Sequence, residues 1–184
     1  MASTTIPDPL LQWAQSDAGL DERLSEVMKL YAQALDCERC ILYCRVPDRR
    51  LATTTHAWWQ PSEGDRYAVT WESWFSDEWV DEGPANAPDP LYAAALESPE
   101  AVYIDDIEND TTGLVNLEFE APTFGHRALI HAPIYFEGKM YGILEPSVFD
   151  KPREWTAEDR AITAWTQEQL GPMVAEYVAE HGPK

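Results

Sequence analysis

The chain has 184 residues, of which 45% are hydrophobic, and a formal net charge of −20. This length fits one domain with a substantial core, and the apolar fraction excludes a disordered acidic tail. The negative charge repels nucleic acid and anionic lipid headgroups, and no window approaches the roughly 18 apolar residues of a membrane span, so we expect no nucleic acid binding and no membrane insertion.

The first third of the chain predicts a tail, a helix and a hairpin. Residues 1–19 form a polar tail that includes a short helix, and residues 1–9 lack the basic and apolar regions of a signal peptide, which indicates a cytoplasmic location. From Leu20 to Leu35 apolar residues recur at helical spacing, which indicates an amphipathic helix. Two strands are predicted next, at 38–46 and 51–59.

Three cysteines lie at the start of the first predicted strand. Cys37, Cys40 and Cys44 have the spacing C-x2-C-x3-C. An odd count argues against a disulfide framework. On a strand the side chains of Cys40 and Cys44 stand ~13 Å apart, too far for one tetrahedral metal. We therefore expect no metal site and interpret the cysteines as buried free thiols.

The middle of the chain is acidic. Residues 67–126 contain 14 Asp and Glu and no Lys or Arg. Trp71 and Trp74 lie at helical spacing within a short predicted helix, and the proline-rich stretch 83–90 predicts a loop. The acidity has two interpretations, a solubilising surface or a docking face for a basic protein partner.

The last part of the chain predicts a short helix, a short strand, a loop, a hairpin and a long helix. The helix is expected at 91–97 and the strand at 101–104. The hairpin strands are expected at 128–136 and 139–149, because Glu137-Gly138 suits a two-residue turn. Thr156 and Asp159 resemble a capping box that begins the final helix, in which Pro172 predicts a kink or break.

Helices at both ends of a strand-rich chain predict an α+β fold with an antiparallel sheet. The hairpin region also resembles the GAF domain family, and within it the bilin-binding GAF domains of phytochromes and cyanobacteriochromes. The matching residues are Asp105, Asp106, Ile107, Asp110, Arg127, Ala128, Pro133, Ile134, Gly138, Lys139, Tyr141, Gly142, Ile143, Leu144, Pro152, Arg153, Trp155 and Glu158.

The resemblance implies one GAF domain over 20–180, preceded by the tail 1–19. It implies a GAF-type antiparallel sheet of five or six strands, with the terminal helices on one face and a helical or loop insertion on the other. A ligand pocket would lie under the insertion. The candidate pocket residues are Trp71, Trp74, Asp105, Arg127, Leu129, His131, Tyr141 and Ser147.

Two departures from the family pattern bear on the ligand. Bilin-binding relatives carry the attachment cysteine in the loop that corresponds to 105–124, and this chain has none there. Ser147 stands where relatives carry a histidine. Covalent attachment in the way usual for these relatives is therefore excluded, whereas a non-covalent tetrapyrrole, another small planar ligand, or no ligand all stay open.

The sequence also predicts the surroundings of three side chains in or near the hairpin, His131, His126 and Glu145. His131 falls where relatives place a residue that faces the acidic side chains of the ligand. His126 is expected at the surface. Glu145, if buried, needs a partner, which His131 or Arg127 could supply.

Three function classes follow. The favoured hypothesis is a non-catalytic sensory or regulatory module that acts on a separate protein partner. The alternative is a degenerate chromophore-type GAF domain that serves as an interaction scaffold without a ligand. A GAF-type free-methionine sulfoxide reductase is less favoured. The cysteines of those enzymes lie in the insertion and in the loop before the hairpin, whereas all three cysteines of this chain lie at the start of the first predicted strand.

The terminal helices also predict a homodimer. Their apolar stripes are wider than a narrow seam and leave apolar surface to bury. Leu24 and Met173 are expected on that face, so Asp at both positions should disrupt the dimer. The alternative is that the N-terminal segment 10–14 folds back and covers the same surface within one chain.

Overall fold

The fold was analysed in a computed structural model that describes residues 5–61, 66–68, 78–82 and 89–184. The helices are α1 Asp8–Ala14, α2 Leu20–Ala34, α3 Pro90–Glu97, α4 Leu117–Phe124 and α5 Ala157–His181, with a 3-10 turn at Ile107–Asn109. The strands are β1 Arg39–Val46, β2 Leu51–Trp59, β3 Val80–Asp81, β4 Val102–Ile104, β5 Ala128–Phe136 and β6 Lys139–Val148.

The six strands form one sheet in the order β3-β2-β1-β6-β5-β4. Every neighbouring pair is antiparallel. The hairpin turn between β5 and β6 has positive φ at Glu137 and Gly138, as a two-residue turn of this type requires. The predicted α+β fold with an antiparallel sheet is confirmed.

One face of the sheet packs against the terminal helices. Strand alternation points Cys40, Leu42 and Cys44 of β1 to this face, where they join one core with side chains of α2 and α5. Cys37 is also buried, and all three thiols are free. The expectation of buried free cysteines is therefore confirmed, and burial raises their pKa values, that of Cys44 to about 12.

Helix α5 begins at the predicted capping box, because Thr156 Oγ1 accepts from the Asp159 N–H at 3.1 Å and the Thr156 N–H donates to Asp159 Oδ2 at 2.9 Å. The helix is continuous through Pro172 to His181, so no break occurs there, and a kink at this proline stays a prediction. Buried residues on both sides of this exposed proline, Leu170 and Met173, hold the helix on the sheet. Tertiary packing thus offsets the hydrogen bond that proline cannot make.

Helix α1 folds back onto the core. Leu10 and Trp13 are buried, the Trp13 Nε1–H donates to the Arg23 carbonyl at 2.8 Å, and the Trp13 and Trp165 rings meet edge to face. Leu24 and Met173 are also buried within the chain, so neither lies on a free surface. A homodimer through the rest of the terminal helices stays a prediction.

A buried ion pair ties the 78–82 segment to the sheet. Glu82 accepts from Arg45 Nε at 2.6 Å and Nη2 at 2.8 Å, and from the Tyr92 hydroxyl at 2.8 Å. Burial raises the pKa of the Glu82 carboxyl, but these donors and Arg50 outweigh it, so the pKa is lowered and Glu82 is ionised. None of the helices in the described part of the chain has the length and apolar composition that a membrane crossing needs.

We predict that Gly142→Ala destabilises the fold by about 1–3 kcal/mol. A Cβ at Gly142 would overlap the Tyr43 backbone carbonyl oxygen, which is held in the central β1–β6 ladder. Urea denaturation measures the loss. Gly19→Ala is the matched control, because a Cβ there meets nothing within 4 Å. Equal stability of the two variants would contradict the close approach at Gly142.

We predict that Glu82→Ala lowers the free energy of unfolding by about 3–5 kcal/mol, because it leaves the buried Arg45 guanidinium without its carboxylate. Thermal and denaturant unfolding measure the effect. Glu97→Ala, on the exposed side of α3, removes the same side chain from the surface and should change stability by less than about 0.5 kcal/mol. A Glu82→Ala variant as stable as Glu97→Ala would show that the pair stabilises nothing.

Candidate functional site

The face of the sheet opposite the terminal helices carries a cluster of buried ionisable side chains. Because Cys40 points to the helices, Arg39 points away from them, and the β1–β6 register sets Arg39 opposite Ser147. The members come from four parts of the chain, and each is at least nine-tenths buried. They are Arg39, Asp89, Glu120, His126, His131, Glu145 and Ser147.

His131 on β5 and Glu145 on β6 form the first buried pair. Their Nδ1 and Oε2 atoms are 3.0 Å apart. Burial opposes charge on both groups. The Glu145 hydrogen bond and charge outweigh burial and raise the pKa of His131, while His131, His126 and Arg39 lower the pKa of Glu145. Both shifts favour an imidazolium that faces a carboxylate.

Two atoms of this pair are left over. His131 Nε2 and Glu145 Oε1 are buried and have no hydrogen-bond partner among the described residues. A buried polar atom without a partner costs on the order of 1–3 kcal/mol. These atoms are one donor, on the imidazolium, and one acceptor, on the carboxylate.

His126 and Glu120 form the second buried pair. His126 Nε2 lies 3.0 Å from Glu120 Oε2, while Nδ1 lies 3.3 Å from Ser147 Oγ and 3.7 Å from Glu145 Oε1. The surface position expected for His126 is wrong: only 3% of the residue is exposed, because its ring stacks on Phe124 and lies against Glu120.

The charges of the second pair are suppressed. Burial, aided by the negative charges of Glu145 and Asp89, raises the pKa of Glu120 to about 8. Burial also lowers the pKa of His126 to about 4, although Glu145 opposes this. At neutral pH both groups are therefore uncharged, and the titratable proton lies on the Glu120 carboxyl.

Arg39 and Asp89 complete the cluster. Arg39 Nη2 donates to the Phe124 carbonyl at 3.0 Å, and its guanidinium lies over the Phe149 ring. Burial lowers the pKa of Arg39 to about 10, so it stays charged at neutral pH. Asp89 caps helix α3, where its carboxylate accepts from the Leu91 N–H at 2.9 Å.

Three of the predicted pocket residues lie on this face. His131 and Ser147 belong to the cluster, and Leu129 is buried beside it against Leu91 and Ile104. Glu145 is buried, and its partner is His131 rather than Arg127. The structure thus brings together three of the predicted residues, Leu129 and His131 on β5 and Ser147 on β6.

The other predicted residues lie elsewhere. Asp105 accepts from the Trp155 N–H, Arg127 forms an ion pair with Asp106 at 2.6 Å, and Tyr141 packs on the helix side of the sheet. Arg127 also lowers the pKa of Asp106 well below its usual range. Trp71 and Trp74 lie outside the described residues.

The sequence reasoning missed Arg39, Glu120 and the role of His126. The sequence contains a signal for Arg39, because a charged residue at the start of an apolar strand must find a buried partner or reach solvent. It contains no signal for Glu120, because this residue stands among many exposed acidic residues. Within the described ranges no group of three or more His, Cys, Asp and Glu side chains is arranged to hold a metal ion.

Comparisons with known proteins agree with this architecture. The family model of the GAF domain matches residues 19–171. No curated relative matches the sequence. Solved GAF domains match in structure, at identities that show the fold alone.

One similar structure is the GAF domain of a phosphoenolpyruvate-protein phosphotransferase from Coxiella burnetii, with 14% identity, a TM-score of 0.69, and 95% of this chain and 93% of that chain covered. A phycocyanobilin-bound GAF domain of a cyanobacterial phytochrome has 14% identity, a TM-score of 0.69 and coverage of 99% and 100%. A GAF domain from Synechocystis sp. PCC6803 in its photoproduct state has 17% identity, a TM-score of 0.59 and coverage of 90% and 100%. The chain has a six-stranded antiparallel sheet with the terminal helices on one face and buried polar side chains on the other. Because the family model also matches most of its length, this chain belongs to the GAF domain family.

Proposed function

We propose that this chain is a cytoplasmic, non-catalytic sensory or regulatory GAF module that binds a small planar ligand without a covalent bond and acts on a separate protein partner. The observation that carries the proposal is the unpartnered pair of buried atoms, His131 Nε2 and Glu145 Oε1. A ligand that pairs with both atoms recovers the cost of their burial.

The charges of the pair select the ligand chemistry. The imidazolium of His131 suits a carbonyl or carboxylate oxygen, and the free oxygen of Glu145 suits an N–H donor. A tetrapyrrole offers both kinds of group. The phycocyanobilin-bound GAF domain of a cyanobacterial phytochrome shows that a similar fold can bind a ligand of this class. In this chain the ligand would be held without a thioether bond.

The thiols support a non-catalytic module. Thiol-based reduction needs a thiolate, and burial raises the pKa values of Cys37, Cys40 and Cys44 well above the usual range. All three lie on or beside β1 and contribute to the core under the terminal helices, away from the polar cluster. These positions favour a packing role over a redox role.

A scaffold without a ligand is the second candidate, and Ser147 favours it. Ser147 stands where bilin-binding relatives carry a histidine, and its hydroxyl already lies 3.3 Å from His126 Nδ1. In this candidate ordered water satisfies His131 and Glu145. The two candidates therefore differ in what occupies the polar face.

The partner is proposed to be basic. Residues 67–126 carry 14 acidic and no Lys or Arg side chains, and the described parts include the exposed apolar residues Val80 and Leu117. Acidic surface with interspersed apolar side chains complements a basic surface that also has apolar contacts. We retain the homodimer through the terminal helices as a separate proposal.

We predict that the chain binds added biliverdin with a new visible absorption band and that denaturation releases the pigment, because 105–124 contains no cysteine. His131→Leu should weaken the affinity about 10- to 100-fold by removing a charged hydrogen-bond donor. Absorption titration of the purified full chain measures both effects.

The matched control for the ligand is His181→Leu, at the exposed end of α5, which should bind as the unsubstituted chain does. Mass spectrometry of protein from its native source then searches for any bound small molecule. No pigment binding together with no native ligand would contradict the ligand proposal and favour the scaffold. Pigment binding that His131→Leu leaves unchanged would assign the ligand to other residues.

We predict that partner capture by the immobilised chain weakens at least tenfold between ~0.05 M and ~0.5 M salt, since the Debye length falls from about 14 Å to about 4 Å. The triple variant Glu97→Lys, Glu100→Lys, Glu118→Lys should lose the same partners at low salt. Glu168→Lys, Glu176→Lys, Glu180→Lys makes the same charge change on exposed sites of α5 and should retain them. Salt-independent capture, or equal loss by both variants, would contradict an acidic docking face in 67–126.

A further inference from the structure

Helix α4 is attached to the domain in an unusual way. Its eight residues, Leu117–Phe124, include one buried side chain, and that side chain is the carboxyl of Glu120, with 2% exposed. An isolated helix this short is unstable in water, and Pro122 inside it removes a further backbone hydrogen bond. The helix therefore depends on its contacts with the rest of the domain.

Those contacts are mainly polar and converge on His126. Glu120 Oε2 lies 3.0 Å from His126 Nε2, and the Phe124 ring stacks on the imidazole at 5.4 Å. Arg39 Nη2 donates to the Phe124 carbonyl at the end of the helix, and α4 also touches the 3-10 turn at Ile107–Asn109. The only fully buried side chain of α4 is thus held by one hydrogen bond to a titratable ring.

That hydrogen bond can form in two ways, because either the protonated Glu120 carboxyl or the N–H of a neutral His126 can donate. If Glu120 ionises, His126 can still donate from Nε2 while Nδ1 accepts from the Ser147 hydroxyl. What then opposes docking is the burial of a carboxylate, 2% exposed, in a site that already contains the negative charges of Glu145 and Asp89. The remaining groups that face this site from other elements are Arg39 on β1, His131 on β5 and Ser147 on β6.

We propose that α4 is a proton-dependent docking element: it lies against the sheet while the Glu120 carboxyl is protonated, and it detaches when that carboxyl ionises. The inference does not depend on the ligand proposed above. Detachment removes the Glu120 side of the buried cluster and exposes His126. It would therefore open the polar face in alkaline solution.

The direction of the pH effect follows from the two groups. In docked α4 the pKa of Glu120 is raised to about 8, so its contribution to docking is complete below the ordinary value near 4.5 and is lost as pH rises through 8. The pKa of His126 is lowered to about 4, so its contribution is lost as pH falls from 6.5 towards 4. Because these two effects have opposite signs, the free energy of α4 docking changes little between about pH 5 and 6.5. Above about pH 6.5 the Glu120 effect dominates and docking weakens.

Hydrogen exchange with mass spectrometry on the full chain tests the proposal. After correction for the intrinsic exchange rate, we expect the α4 amides to lose about tenfold in protection between pH 6.5 and pH 9. The amides of the β5–β6 hairpin in the same sample should keep their protection, which separates local detachment from unfolding. Unchanged protection of α4 across this range would overturn the proposal.

Two isosteric variants identify the carboxyl responsible. Glu120→Gln keeps a donor for His126 that cannot ionise, so α4 should stay protected up to pH 9. Glu118→Gln removes the same charge from an exposed position of the same helix and should keep the tenfold loss. A Glu120→Gln variant that loses protection as steeply as Glu118→Gln, or that exchanges rapidly at both pH values, would overturn the assignment to the Glu120 carboxyl.

Discussion

The compensation of buried charge on one face of a sheet is the constraint on which the rest of this structure depends. A central sheet must cover two faces, and here the terminal helices cover one mainly with apolar side chains. The other face carries Arg39, Glu145 and His131, whose burial is tolerable because positive and negative groups alternate across the neighbouring strands β1, β6 and β5. Removing one of these three would leave a neighbour charged without a partner.

The same principle fixes the parts of the chain that cross this face. Glu82, at the end of the described 78–82 segment, binds the guanidinium of Arg45, and Asp89 begins α3 by accepting from backbone N–H groups. Glu120 brings α4 to His126. Each of these segments has a carboxylate or carboxyl anchor, and α3 adds the buried apolar side chains Leu91 and Ala95. Carboxyl anchors are specific in geometry and sensitive to protonation.

The polar face has an imidazole near the end of β6 that β6 itself does not supply. The stretch 105–124 contains no cysteine, and position 147 on β6 is a serine. His126 comes from just before β5 and reaches Ser147 and Glu145 from there. The start of β5 thus places an imidazole beside the end of β6.

The hydrophobic periodicity of the sequence and its turn and capping residues determined the helices and strands of this protein. The capping box at Thr156, the turn at Glu137-Gly138 and the alternation of Cys40, Leu42 and Cys44 are local patterns, and local backbone geometry was enough to interpret them. Tertiary structure decided what local rules could not. Pro172 stays within α5 because packing against the sheet outweighs one lost hydrogen bond, and His126 is buried because Phe124 and Glu120 lie over it. The pairing of His131 with Glu145, and of His126 with Glu120, depends on strand register and on the fold-back of α4, which bring together side chains up to 14 residues apart in sequence, and no spacing rule along one strand or helix encodes such contacts.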